Sequence, residues 1–277
     1  MKKLASYPYI IWSAIFIVIP LILVFLYGIT IPSETSIFGL KLSLDNFQRF
    51  LEPIYIKVLW RSIWLAIVST LICVIIGYPF SMLLAKTNVK KRNMLLLLVI
   101  IPMWMNFLLR TYAWMTILGK KGLINNLLRD IGLPALNLLY NDGAVILGMV
   151  YNFLPFMILP IYTVLTKMDK SVLEAAEDLG ANRFVVFLKI VFPLSLPGVI
   201  SGITMVFMPA VSTFVISKLL GGGQFWLIGN LVEEQFLRIN DWHFGSTIAL
   251  ILMVIILLAM GVMSKYDNKE DGGAGLW

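Results

Sequence analysis

Few side chains in this sequence have the type and spacing for bond-making chemistry. The chain has one histidine, His243, and one cysteine, Cys73. His243 stands beside Trp242 at the edge of an apolar run, where an interfacial residue is the ordinary reading. Cys73 lies inside such a run and reads as a small packing residue. No C-x-x-C, H-E-x-x-H, G-x-S-x-G or phosphate-binding glycine loop occurs. The sequence therefore indicates no catalytic residue, no metal site and no cofactor, and it offers no Walker motif for ATP.

Non-covalent chemistry has more to work with. Trp104, Asn106 and Tyr112 share one apolar segment, and Tyr151 and Asn152 lie early in another. Aromatic faces can hold an organic cation, each contact being worth about 0.5–2 kcal/mol, with Asn106 as a polar handle. The same residues also fit an aromatic belt at a membrane interface. Arg110, between them, has the wrong sign for a cation and reads as structural, pairing with an acid of a partner. Glu233, Glu234 and Asp241 form an acidic cluster. Such a cluster can steer a polycation, dock a soluble protein or solvate a loop.

The elements that position these residues are set by composition. Of 277 residues, 60% are hydrophobic and 13% charged, whereas a soluble domain carries roughly a quarter charged residues. The surplus calls for lipid as solvent, and a single domain over 1–277 accommodates about six spans of roughly 20 residues. Apolar segments run at 9–29, 58–85, 94–118, 144–166, 194–220 and 244–263. The first follows Lys2 and Lys3 without a small-residue cleavage site, which reads as an uncleaved span. The 86–93 connection holds Lys86, Lys90, Lys91 and Arg92 with no acid, which places it and both termini in the cytoplasm. The net charge of +7 is accounted for by topology, so it argues for no nucleic-acid partner.

The most polar helical stretch is the cytoplasmic loop 167–193. Ser171 and Glu174 have the spacing of a capping box. A first helix would then run through LEAAEDL to Gly180, which can take the left-handed conformation at a helix end. A second amphipathic piece starts near Asn182, with Phe184, Phe187, Leu188 and Val191 on one side, and is expected to end at Pro193 and Pro197. Two short helices at a sharp turn form a knob suited to a groove on a soluble partner. The other reading is a connection lying on the membrane surface with no partner.

Glu174-Ala175-Ala176, then Gly180 after three residues, then Ile190 and Pro193, resembles the EAA loop of ABC importer permeases; Phe192 stands where leucine is usual. The stretches SLDNFQRFLEP, GYPFSMLLAK, IPMWMNFLLRTYAW, YNFLPFMILPIY and IGNLVEEQFLRINDWHFGS look like the spermidine/putrescine permeases within that family. The resemblance implies an all-α integral membrane fold of type I importer (MetI-like) architecture with six transmembrane helices. It also implies a multi-pass protein of the bacterial inner membrane that is a transport subunit and not an enzyme. Its partners would be an ABC ATPase dimer, a second homologous permease and an extracytoplasmic binding protein, with Glu174, Ala175, Ala176 and Gly180 as the ATPase contacts. A membrane-embedded enzyme would need clustered acids or histidines that the 167–193 loop lacks, and a passive channel would leave that loop without a purpose.

Overall fold

Apolar runs without water must satisfy their own backbone, and this chain does so almost wholly as helices. The computed structural model describes residues 7–32 and 40–267, so the termini assigned to the cytoplasm lie outside the described residues. Helices α1 (Tyr7–Ser13) and α2 (Ile19–Gly28) join through a π-helical turn, Ala14–Val18. Strands β1 (Thr30–Pro32) and β2 (Leu40–Leu42) pair antiparallel, Thr30 opposite Leu42, a small departure from an all-α chain. Then come α3 (Asp45–Phe50), α4 (Pro53–Lys86), α5 (Val89–Trp104), α6 (Phe107–Leu118), α7 (Leu123–Asp130) and α8 (Asp142–Lys167). The second half holds α9 (Lys170–Asp178), α10 (Arg183–Val186), α11 (Phe192–Ser212), α12 (Val215–Leu220), α13 (Ile228–Glu234) and α14 (Trp242–Asp267).

Five helical stretches are long and apolar enough to cross a membrane: Pro8–Gly28, Pro53–Lys86, Asp142–Lys167, Arg183–Ser212 and Trp242–Met263. The sixth expected segment, 94–118, is not one straight helix. It bends by 97° between α5 and the stretch that follows it. Pro102 weakens the end of α5, and the Asn106 side chain accepts the backbone N–H groups of Leu108 (2.8 Å) and Leu109 (3.4 Å), starting α6 afresh.

The 194–220 segment also divides, because α11 stops at Ser212. The Asn230 amide donates to the Phe214 carbonyl at 2.9 Å, satisfying backbone that the break exposes. At the other end of this helix, Pro193 and Pro197 do not act as stops. Helix runs without interruption over Arg183–Ser212, and a π-helical turn at Phe187–Val191 precedes Pro193. That wider turn accommodates the carbonyl that a proline can neither pair with nor tolerate in an α-helical turn.

The core is the trio α4, α8 and α11, with α14 against α11 and carrying α2 on its other side. Small residues allow the close approach. A Cβ on Gly198 would lie 2.9 Å from the Pro160 carbonyl oxygen and 3.1 Å from the Ile161 Cα. Buried hydroxyls pair within and between helices: Ser81 donates to the carbonyls of Gly77 (2.7 Å) and Ile158 (3.0 Å). Arg61, near the start of α4, pairs with Asp142 at 2.6 Å and lies 3.7 Å over the Phe225 ring, which ties α4, α8 and the loop after α12 together.

Candidate functional site

The loop after α8 folds into two arms at one end of the bundle. Its first helix is capped by Asp169, not by Ser171: the Asp169 carboxylate accepts the Ser171 backbone N–H at 2.9 Å, and Ser171 lies inside the first turn. Aspartate is as good a cap as serine, and its oxygen reaches the N–H two residues on. Hydrogen bonds from the Ser171 backbone and then its hydroxyl hold the Asp169 carboxyl below its usual pKa.

The turn is built by backbone chemistry. Gly180 takes φ +79°, the Leu179 N–H bonds the Ala175 carbonyl at 3.2 Å, and the Ala181 N–H bonds the Ala176 carbonyl at 3.1 Å. This is the six-to-one closure that a left-handed glycine permits. Asn182 then accepts the Val185 N–H at 2.8 Å and opens the second arm.

The knob presents Glu174, Ala175 and Gly180 to solvent, while Ala176 is 9% exposed. Two apolar side chains stand furthest out, Leu179 at 88% and Phe184 at 69% exposure. The exposure of Leu179 is not legible in the sequence, since a leucine beside a glycine reads as an inward residue. Ile190 and Pro193 lie elsewhere, half-buried where the second arm runs into α11. There Phe187 and Phe192 pack on the Tyr78 ring, each with centroids 5.9 Å away, and the Tyr78 hydroxyl pairs with Ser195 at 2.7 Å.

The five residues expected to line a pathway lie on α6, α8 and at the α5–α6 break. Trp104 is 81% exposed at the α5–α6 break, Tyr112 is exposed on α6, and the Asn106 oxygen is engaged in capping. Tyr151 meets Trp114 edge-on at 5.4 Å. Asn152 is buried, donates to the Gly148 carbonyl at 2.8 Å, and leaves its own oxygen without a hydrogen bond. Arg110 is 8% exposed; its Nε and Nη1 have no hydrogen-bond partner, and its guanidinium lies 6.0 Å from the Phe107 ring.

The acidic cluster is matched by cations of the same chain. Glu233 pairs with Lys218 at 2.9 Å, Glu234 with Arg238 at 3.2 Å, and Asp241 with Arg49 at 2.9 Å. Asp241 also caps α14 by accepting the Phe244 N–H at 3.0 Å. His243 holds the hairpin to α14, its Nδ1 lying 2.7 Å from the Thr30 carbonyl oxygen.

Comparison with known proteins agrees with this architecture. The spermidine/putrescine transport system permease protein PotB of Haemophilus influenzae is 38% identical over 259 residues, covering 93% of this chain and 91% of that protein. PotB of Escherichia coli K12 is 39% identical over 264 residues, 94% of this chain and 96% of its own length. Among solved structures, a bacterial ABC transporter involved in importing the acidic polysaccharide alginate superposes with a TM-score of 0.78 at 18% identity, over 95% of both chains. Another structure of the bacterial alginate transporter, in complex with a pentasaccharide-bound periplasmic protein, gives 0.79 at 18% identity, over 96% of this chain and 95% of that one. The fold is thus that of type I ABC importer permeases. A model of the family described as binding-protein-dependent transport system inner membrane component matches residues 77–269. The chain belongs to that family: it is a multi-pass inner-membrane transport subunit of an ABC importer.

Proposed function

We propose that the chain is one of two permeases of an ABC importer for spermidine and putrescine, supplied by an extracytoplasmic binding protein and driven by a separate ATPase dimer. The observation that carries the cargo is identity of 38–39% to permeases named for these polyamines, over more than nine-tenths of both chains. Residues 1–277 would act as a single domain, with the pathway between this chain and its partner permease. The four uncompensated cations at 86–93 support a cytoplasmic position for α9 and for both termini.

In this reading Glu174, Ala175, Ala176 and Gly180, with Leu179 and Phe184, form the surface that enters the ATPase. Ile190 and Pro193 root the second arm and pass its displacement to α11. The exposed faces of Trp104 and Tyr112 are available to a cationic substrate, with Tyr151 behind Trp114 and Asn106 fixing the break between them; Asn152 adds a polar oxygen within α8. Glu233, Glu234 and Asp241, each already paired, shape the outer loops on which a binding protein would sit. Alternating access follows if ATP-driven closure of the ATPases draws the knob and tilts the spans.

Uptake of labelled spermidine and putrescine in a strain lacking this chain, with and without the chain restored, tests the cargo. Restored uptake of either supports it. If neither depends on the chain while the ATPase still co-purifies with it, the polyamine assignment fails and the permease assignment stands.

A further inference from the structure

Helix α7 has an apolar arc wider than the protein beneath it. Ile124 packs against the core and Leu128 is half-buried, whereas Leu123, Leu127 and the C-cap residue Ile131, spaced by four, run past its edge at 62%, 57% and 71% exposure. The helix is held rigidly in this pose by Asn125, which is fully buried. The Asn125 amide donates to the carbonyls of Gly119 and Leu136 at 3.0 Å each and accepts the Leu136 N–H at 2.8 Å. From the last turn of α7, Arg129 reaches back and donates to the Lys120 carbonyl at 2.6 Å, and the side chains of Lys120 and Lys121 are exposed.

The level of α7 relative to a bilayer follows from α8. Its 26 residues span roughly 39 Å at about 1.5 Å each, longer than a hydrocarbon core of about 30 Å. One end of α8 therefore emerges at the headgroups, and Leu136, fixed to Asn125, stands six residues before its start. A fixed apolar stripe flanked by cations at that level is the pattern of a helix lying in the interface. Between residues 119 and 133 the cations Lys120, Lys121 and Arg129 face a single acid, Asp130.

We propose that α7 is a membrane-interface anchor: Leu123, Leu127 and Ile131 enter the boundary between acyl chains and headgroups, and Lys120 and Lys121 hold lipid phosphate. The anchor fixes the depth of the α6–α8 connection. It is independent of which solute the importer carries.

The test uses the assembled importer in vesicles of phosphatidylethanolamine and phosphatidylglycerol, with Cys73 replaced by alanine and a nitroxide at L127C or, as the polar-side control, at N126C. Oxygen should relax the label at 127 more strongly than a water-soluble nickel chelate does, by about threefold or more relative to 126. A label at 127 that is open to nickel, or shut to both reagents as in a protein interface, overturns the anchor. Spin-labelled phosphatidylglycerol should be enriched over phosphatidylcholine around the protein, and each of Lys120→Gln and Lys121→Gln should reduce that preference by about fivefold. An unchanged preference in the double variant overturns the phosphate contact.

Discussion

The hydroxyls of Tyr78 on α4 and Ser195 on α11 meet at 2.7 Å, and through them the longest described helix grips the foot of the knob's second arm. Tyr78→Phe keeps the ring against Phe187 and Phe192 and removes only this bond, since Ser195 still donates to the Phe192 carbonyl at 2.9 Å. The expected loss is about 1 kcal/mol. Tyr78→Ala also empties the ring site and should cost about 3–5 kcal/mol. Thermal inactivation of the purified importer measures both; equal stability of the two variants would show that the aromatic cluster does not hold the arm.

Gly180 stands at φ +79° with open space where a side chain would project. A substitution there acts through the backbone and through the partner surface, not through a clash within the chain. Gly180→Val should cost roughly 1–2 kcal/mol locally and deform the knob. The chain is expected in the membrane at normal amount while co-purification of the ATPase drops. Normal co-purification and normal uptake would remove the knob from the docking surface.

The Asp169 cap is a titrating one. Because its folded pKa lies below the ordinary 3.8, its contribution to α9 is fully present above that value and disappears as pH falls through the lower folded pKa. Hydrogen-exchange protection of the Ser171 amide should follow this acid limb. Asp169→Asn keeps an acceptor oxygen but cannot titrate, so protection should become independent of pH across the same range. A limb that survives in Asp169→Asn would assign it to another group.

Glu233 and Lys218 form a partly exposed pair, a geometry worth about 0–1 kcal/mol. Glu233→Gln with Lys218→Gln should therefore change uptake by less than about twofold. A loss of tenfold or more in uptake, with normal protein amount, would mean that the pair acts on the cargo or on the docked binding protein and does more than hold its loop.

The sequence made some of these features plain and hid others for definite reasons. Helices α4 and α8 begin and end within a few residues of the apolar runs that announce them, because charged residues and prolines flank the runs. The Gly180 turn was legible because few residues other than glycine accept its φ. The break at Met105 was hidden by hydropathy, which stays high across it; its trace was Pro102 followed by Asn106, a helix end and a helix start four residues apart. The π-helical turn before Pro193 leaves no mark in hydropathy, so from sequence the proline reads as a stop. Asp169 and Ser171 are both good caps, and only the observed bond decides between them. Glu234 and Arg238 stand four apart, a spacing that announces their pair, whereas Asp241 pairs with Arg49, 192 residues away, which spacing along the chain cannot disclose.

That Pro193 fails to stop the helix has a mechanical consequence. Thirty residues run unbroken from Arg183 to Ser212, a rod of roughly 45 Å at about 1.5 Å per residue. Gripped by Tyr78 at Ser195, in the proposed coupling role it would act as a lever with one arm of roughly 18 Å toward the knob and another of roughly 26 Å toward the break at Thr213, at about 1.5 Å per residue. A tilt of about 5° over roughly 26 Å would move the far tip by about 2 Å, so a displacement at the knob would arrive modestly enlarged at the other end of the span.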